Sequence, residues 1–191
     1  MMKEINIIVF SRYSELGASS RLRMIQYLPF LANNNINCSV NPFFNERYLK
    51  DLYSNKKINL INLIYLFFQK FLLLFSVKKY DLVWIEKEVF PYMPSFFESI
   101  ICYSGVKYIV DYDDDIFQNY DKFNSNFYKK KFHHLLQKSS LVVVCNDYLF
   151  ERVNFIGAKN IIKIPTVVDM LKYKKRTYSK DYKEFRIGWI G

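Results

Sequence analysis

Two kinds of apolar segment alternate along the chain. Short, nearly uninterrupted apolar runs fall at 5–10, 38–44, 81–85, 107–111, 141–145 and 161–164. Between them, apolar residues return every three or four positions, as in Leu22, Ile25, Leu28 and Leu31. The first kind reads as strands buried on both faces, the second as helices laid on a sheet. The pattern therefore predicts helices over 21–33, 58–77, 94–103, 126–138 and 147–155, with a Ser- and Gly-bearing loop over 11–20. Asp147 is placed to cap the last of these helices, Gly157 to stop it, and Pro165 to end the sixth strand. Strand–helix alternation of this kind predicts an α/β fold, a Rossmann-like parallel sheet with helices on both faces.

After the sixth strand the pattern changes. Residues 172–183 are polar and charged, and 185–190 read as a fresh strand. The expected division is a Rossmann-like domain over 1–170, an interdomain linker over 171–184, and the first strand of a second α/β domain over 185–191. A chain that stops in mid-strand is expected to be truncated.

Composition narrows the classes. Of the 191 residues, 51% are hydrophobic, which excludes intrinsic disorder, and 5 Gly with 5 Pro exclude a collagen-like chain. The net charge of +10 comes from 21 Lys and only 7 Arg, with no basic run interleaved with aromatics, so no nucleic-acid partner is expected. The runs 129–131 and 172–176 read as solvated helix faces and linker, or as contact with an anionic membrane. Cys38, Cys102 and Cys145 form no C-x-x-C pair and read as reduced, buried thiols of a cytoplasmic protein. The first residues run directly into a strand, without the basic and then apolar order of a signal peptide.

The segment 58–77 raises the membrane question. It is mostly apolar, but Gln69 and Lys70 lie past its middle. A lysine there costs about 2.5–3.5 kcal/mol on insertion. The expectation is a helix that packs on the sheet or lies on a bilayer surface, not one that spans it.

Ligands of open α/β sheets gather at the carboxyl ends of the strands, so those ends supply the candidate chemistry. Asp111, Asp113, Asp114 and Asp115 follow the fourth strand. Crowded carboxylates repel and raise one another's pKa unless cations or donors offset them. They can serve as a general base for a hydroxyl, as ligand-binding groups, or as the N-terminal cap of a following helix. Gly17, Arg21 and Arg23 stand at a loop-to-helix junction that could hold an anion or form a plain turn. Glu86 could orient a hydroxyl, whereas Glu88 reads as a surface residue. His133 and His134 are adjacent and face different sides of a helix, which rules out an i, i+4 metal pair. The D-x-D spacing alone is too common to assign a metal.

Several of these segments, taken in order, resemble the N-terminal domain of a GT-B glycosyltransferase of the family 4, "group 1" type. They are Gly17-Ala18-Ser19-Ser20-Arg21-Leu22-Arg23, Tyr27-Leu28-Pro29-Phe30-Leu31, Tyr80-Asp81-Leu82-Val83-Trp84-Ile85 and Val110-Asp111-Tyr112-Asp113-Asp114. Val143 to Leu149, Gly157-Ala158-Lys159-Asn160 and Ile164 to Asp169 follow, and Arg186 to Gly191 is similar to the opening strand of that family's second domain. The resemblance implies transfer of a sugar from a nucleotide-sugar donor, the co-substrate, to a glycan or lipid-linked acceptor in cell-surface polysaccharide biosynthesis. It implies no other cofactor, and peripheral work at the inner face of the plasma membrane. The N-terminal domain would hold the acceptor. The donor site would lie beyond residue 191, so that the fragment alone would be inactive. Asp113 and Asp114 are then the expected catalytic residues. Gly17, Arg21, Glu86 and Asp111 are the expected acceptor-binding residues, with no metal. The family often places a His where this chain has Asp, so the base stays open. The alternatives are a non-catalytic fragment or carbohydrate-binding α/β domain. More remote is a haloacid-dehalogenase-like phosphatase, in which Asp111 would be the nucleophile and Asp113 the acid/base.

Overall fold

The structure is a computed structural model that describes residues 4–56, 59–121, 126–172 and 187–188. Six strands form one all-parallel sheet: β1 (Ile5–Phe10), β2 (Ile36–Val40), β3 (Leu82–Glu86), β4 (Lys107–Tyr112), β5 (Leu141–Val144) and β6 (Ile161–Lys163). Their order is β2-β1-β3-β4-β5-β6. The helices are α1 (Ala18–Arg23), α2 (Leu28–Asn33), α3 (Glu46–Tyr53), α4 (Leu60–Leu74), α5 (Ser95–Cys102), α6 (Phe117–Asp121), α7 (Asn126–Lys138) and α8 (Asp147–Ile156). The Rossmann-like α/β fold expected from the pattern is the fold found.

The buried residues sort by strand parity. Ile8, Phe10, Val83, Ile85, Val110, Val142 and Val144 face one layer, with Leu74, Ile101, Phe132, Leu135, Leu149 and Val153 from the helices packed over them. Ile7 and Val9 face the other way, with Met24, Leu82 and Trp84. The two faces are covered by different helices because the order reverses at β1: one crossover runs left to β2 and the others run right from β3. That reversal, between the carboxyl ends of β1 and β3, is the place where open α/β sheets commonly bind ligands.

The periodicity misplaces several boundaries. The helix expected over 21–33 starts at Ala18, breaks at Met24 and resumes at Leu28. Pro29 has no N–H to continue the first ladder and sits where a proline is tolerated, in the first turn of α2. The strand expected over 38–44 is β2, shifted toward the N-terminus. Asn41, Phe43 and Phe44 still donate their backbone N–H to the carbonyls of Val9, Ser11 and Arg12, but Pro42 interrupts the ladder. The cap of α8 is Asn146, whose side chain accepts from the Leu149 amide at 2.8 Å, and not Asp147. Gly157 stops that helix at φ 118°, as expected. Of the expected linker, Leu171 and Lys172 belong to a short 3-10 turn (Met170–Lys172), and of the strand expected over 185–191 only Ile187 and Gly188 are described, without strand structure; the rest lies outside the described residues.

No helix among the described residues is long and apolar enough to cross a membrane. α4 packs through Leu66, Lys70 and Leu74, spaced four apart. The Lys70 ammonium donates to the carbonyls of Asn41 (2.6 Å) and Pro42 (3.2 Å). Burial pulls its pKa down from the ordinary 10.5 to about 7. Above that value the unfolded chain holds a proton that the folded one lacks, so stability rises with pH until the free amine also titrates. Lys70→Met is expected to abolish this rise. In urea titrations the wild type should gain more than about 1 kcal/mol on the variant between neutral and strongly alkaline pH. Parallel profiles would show that Lys70 keeps its proton in the fold.

Candidate functional site

The carboxyl ends of β1, β3 and β4 bring two acidic segments, Glu86 to Glu88 and Asp111 to Asp115, together with three cations, Arg12, Arg23 and Lys87. Glu86 ends β3 and is 1% exposed. It accepts from the Arg12 backbone N–H (2.7 Å) and from the hydroxyls of Ser19 (2.8 Å) and Ser20 (2.6 Å) on α1. Its charge is thus met by neutral donors and one backbone amide. The Ser19 hydroxyl also reaches Asp113. One hydroxyl has one proton, so Ser19 links the two carboxylates and can satisfy only one of them at a time.

Lys87 follows Glu86 in an unusual backbone state. Its φ is 65°, and the Glu88 N–H donates to the Glu86 carbonyl at 2.7 Å, closing a three-residue turn. The ammonium of Lys87 contacts Asp113 at 2.9 Å and Asp114 at 2.7 Å. Burial works to raise the Asp113 pKa, but Lys87 and Ser19 outweigh it and hold it below the usual carboxylate value. Lys87 itself is desolvated, yet its two aspartates raise its pKa on balance. The result is an ionised Asp113 beside a charged ammonium. The Asp114 side chain is 70% exposed and forms the outer rim of the cluster.

Asp111 points inward instead. It pairs with Arg23 through two guanidinium nitrogens, each at 2.8 Å, and both side chains are almost fully buried. Burial pushes its pKa up to about 7 even though Arg23 works against it. Arg23 also donates to the Ile164 carbonyl (2.7 Å) and to Thr166 (3.3 Å), tying α1 to the segment after β6. The Asp111 carboxylate, expected to bind an acceptor, is therefore buried in an ion pair and has almost no exposed surface. A nucleophilic role, as a phosphatase would require, finds no support in this burial. Asp115 turns away as well, toward Tyr148 and Arg152.

The two remaining predicted acceptor-binding residues lie apart from the carboxylates. Arg21 donates to the Glu15 carbonyl at 2.9 Å and has no contact with the cluster. Gly17 is packed against Tyr13: a Cβ there would meet the Tyr13 Cβ at 2.3 Å. It is glycine because of that close approach, and α1 is too short to act as an anion cradle.

Two expectations about charge fail for the same reason. Glu88, expected on the surface, is 4% exposed, and Lys131, expected on a solvated face, is fully buried. Lys131 contacts Glu88 (2.8 Å), Glu98 (3.1 Å) and the Phe90 carbonyl (2.6 Å). Glu88 also accepts from Tyr120 (2.6 Å) and Arg12 (3.3 Å). Lys131 thus bridges two buried carboxyl groups behind the candidate site, with Arg12 reaching Glu88 from the partly exposed side. Lys131 had a readable signal: Tyr128, Lys131, Phe132 and Leu135 share the inward stripe of α7. Arg12, Ser19, Ser20 and Lys87 carried none beyond their places after β1, before α1 and between two glutamates.

Among the described residues, no group of three or more His, Cys, Asp and Glu side chains is arranged to hold a metal ion. Cys38, Cys102 and Cys145 are free thiols, each only partly buried. The fold, a six-stranded parallel sheet flanked by helices, defines an α/β protein of the Rossmann-like class. No protein-family model, no curated protein and no solved structure matches the chain.

Proposed function

We propose that the chain is the acceptor-side domain of a GT-B-type glycosyltransferase of cell-surface polysaccharide biosynthesis, working at the inner face of the plasma membrane on a glycan or lipid-linked acceptor. The observation that carries this reading is the pair Asp113–Lys87, which bridges the carboxyl ends of β4 and β3, with Asp114 on its open side. An ionised carboxylate at this strand end accepts a hydrogen bond from a sugar hydroxyl. Lys87 fixes the position of that carboxylate, and Glu86, held by Ser19, Ser20 and the Arg12 amide, fixes the strand end beneath it. In the transfer, the acceptor oxygen forms a bond to the anomeric carbon of the nucleotide sugar. The bond to the nucleoside diphosphate breaks, and the hydroxyl proton passes to Asp113 or to the departing phosphate.

The test is saturation-transfer NMR of this chain against a panel of mono- and oligosaccharides. Binding of at least one sugar is expected. It should weaken about tenfold or more in Asp113→Asn, which keeps the shape of the side chain but replaces a charged hydrogen-bond acceptor with a weaker neutral one. Absence of binding across the panel, or equal binding by the variant, overturns the reading.

A further inference from the structure

We propose that the outward face of α4 docks on an anionic lipid surface. This inference stands on α4 and its surroundings alone and does not depend on the sugar-transfer reading. Ile61, Ile64, Tyr65, Phe68, Leu72 and Phe75 are all exposed, Ile61 to 79%. Their spacings of three, one, three, four and three residues keep them on one stripe of the helix. Leu66, Lys70 and Leu74 occupy the opposite side and are buried, so the orientation is fixed by packing. Lys70 strengthens this, because its ammonium is tied to two carbonyls of the segment after β2. The stripe therefore cannot turn inward without breaking those bonds.

The charges around the stripe identify the occupant. α4 carries no acidic residue. Lys56 before it, and Lys78 and Lys79 after it, are exposed. Asp81, the next carboxylate in the chain, accepts from the Asn6 amide at 2.9 Å. The neighbouring α5 adds Phe96, 64% exposed, and contacts α4 through the Phe71–Phe97 ring pair. An apolar helix face rimmed by lysines at both ends and bordered by aromatics complements an apolar layer beneath a negative surface. Charge complementarity favours a negative surface, since the rim offers lysines at both ends and α4 itself no carboxylate. α4, at 15 residues, is about 22 Å long, shorter than the hydrocarbon layer, so it lies in the interface plane and does not cross.

Co-sedimentation of the chain with phosphatidylcholine vesicles, with and without phosphatidylglycerol, tests this. The wild type is expected to pellet with the anionic vesicles and to be released by high salt. Ile64→Ser/Phe68→Ser, at exposed positions, should keep the far-UV circular dichroism of the wild type and bind at least tenfold more weakly. Lys78→Ala/Lys79→Ala should weaken binding to anionic vesicles about fivefold per lysine and leave neutral vesicles unaffected. The proposal is overturned if the wild type stays in the supernatant with anionic vesicles at low salt, or if the Ile64/Phe68 variant pellets like the wild type. It is equally overturned if the wild type is a dimer in light scattering that the Ile64/Phe68 variant dissociates, since a second copy then covers the stripe.

Discussion

Lys131→Met is expected to lower folding stability by about 3–5 kcal/mol at pH 8, the usual cost of removing one partner from a buried ion pair. The fully buried ammonium of Lys131 lies within 3.1 Å of both Glu88 and Glu98. Methionine fills much the same space but leaves two carboxylates in the core with one cation fewer. Burial already raises the Glu98 pKa from 4.5 to about 7, with Lys131 opposing the rise. A raised carboxyl pKa means that the native state holds a proton the unfolded chain has lost. Its effect on stability is therefore favourable below pH 4.5 and fades as pH climbs through 7. In the variant the rise is larger, so the deficit should shrink when pH is lowered from 8 to 5. Urea denaturation at both values measures it. A deficit that does not change with pH would place the loss in packing and not in charge.

Arg23→Met is expected to cost a similar amount, about 3–5 kcal/mol at neutral pH, for a related reason with a different structural reach. Arg23 is the cation of Asp111, and it also holds the Ile164 carbonyl and Thr166. Its removal strands a buried carboxylate and frees the segment that follows β6. The Asp111 pKa, already raised from 3.8 to about 7 by burial, should move further up. The sign is the same as for Glu98: the deficit narrows as pH falls toward 5 and Asp111 takes a proton. Hydrogen exchange adds a local readout. The Ile164 amide donates to Val144, and that bond should lose protection in the variant more than the β1–β3 ladder does. Equal loss across the sheet would mean that Arg23 supports the core generally and not this connection.

The sheet was legible because parallel strands buried on both faces leave continuous apolar runs, such as Ile7 to Phe10 and Leu141 to Val144. α3 was missed, and α6 was anticipated only as the helix that the aspartate run could cap. Each is short, and α3 carries its charges Glu46, Arg47, Lys50 and Asp51 around a single buried Leu49, too weak a stripe to read. At the candidate site, strand ends pointed to Glu86, Asp111, Asp113 and Asp114. Their partners could not be read, since Lys87, Arg23 and Ser19 meet them only through tertiary placement. Charge misled most. A lysine in a basic run, or a glutamate in a loop, reads as solvated, and only burial by α7 shows that Lys131 and Glu88 neutralise each other.

The positive φ of Lys87 decides which layer of the protein each flanking glutamate serves. In a straight strand, residues two apart share a side. Leu82, Trp84 and Glu86 all face α1, where Glu86 meets Ser19 and Ser20. Continued without a kink, Glu88 would join them. The three-residue turn at Lys87 sends it across to the opposite layer, where it meets Tyr120 and Lys131 beneath the core built on Val83 and Ile85. A single inverted residue thus anchors the end of β3 in both layers at once. Straightening it would leave Lys131 without Glu88 and crowd two acids against α1.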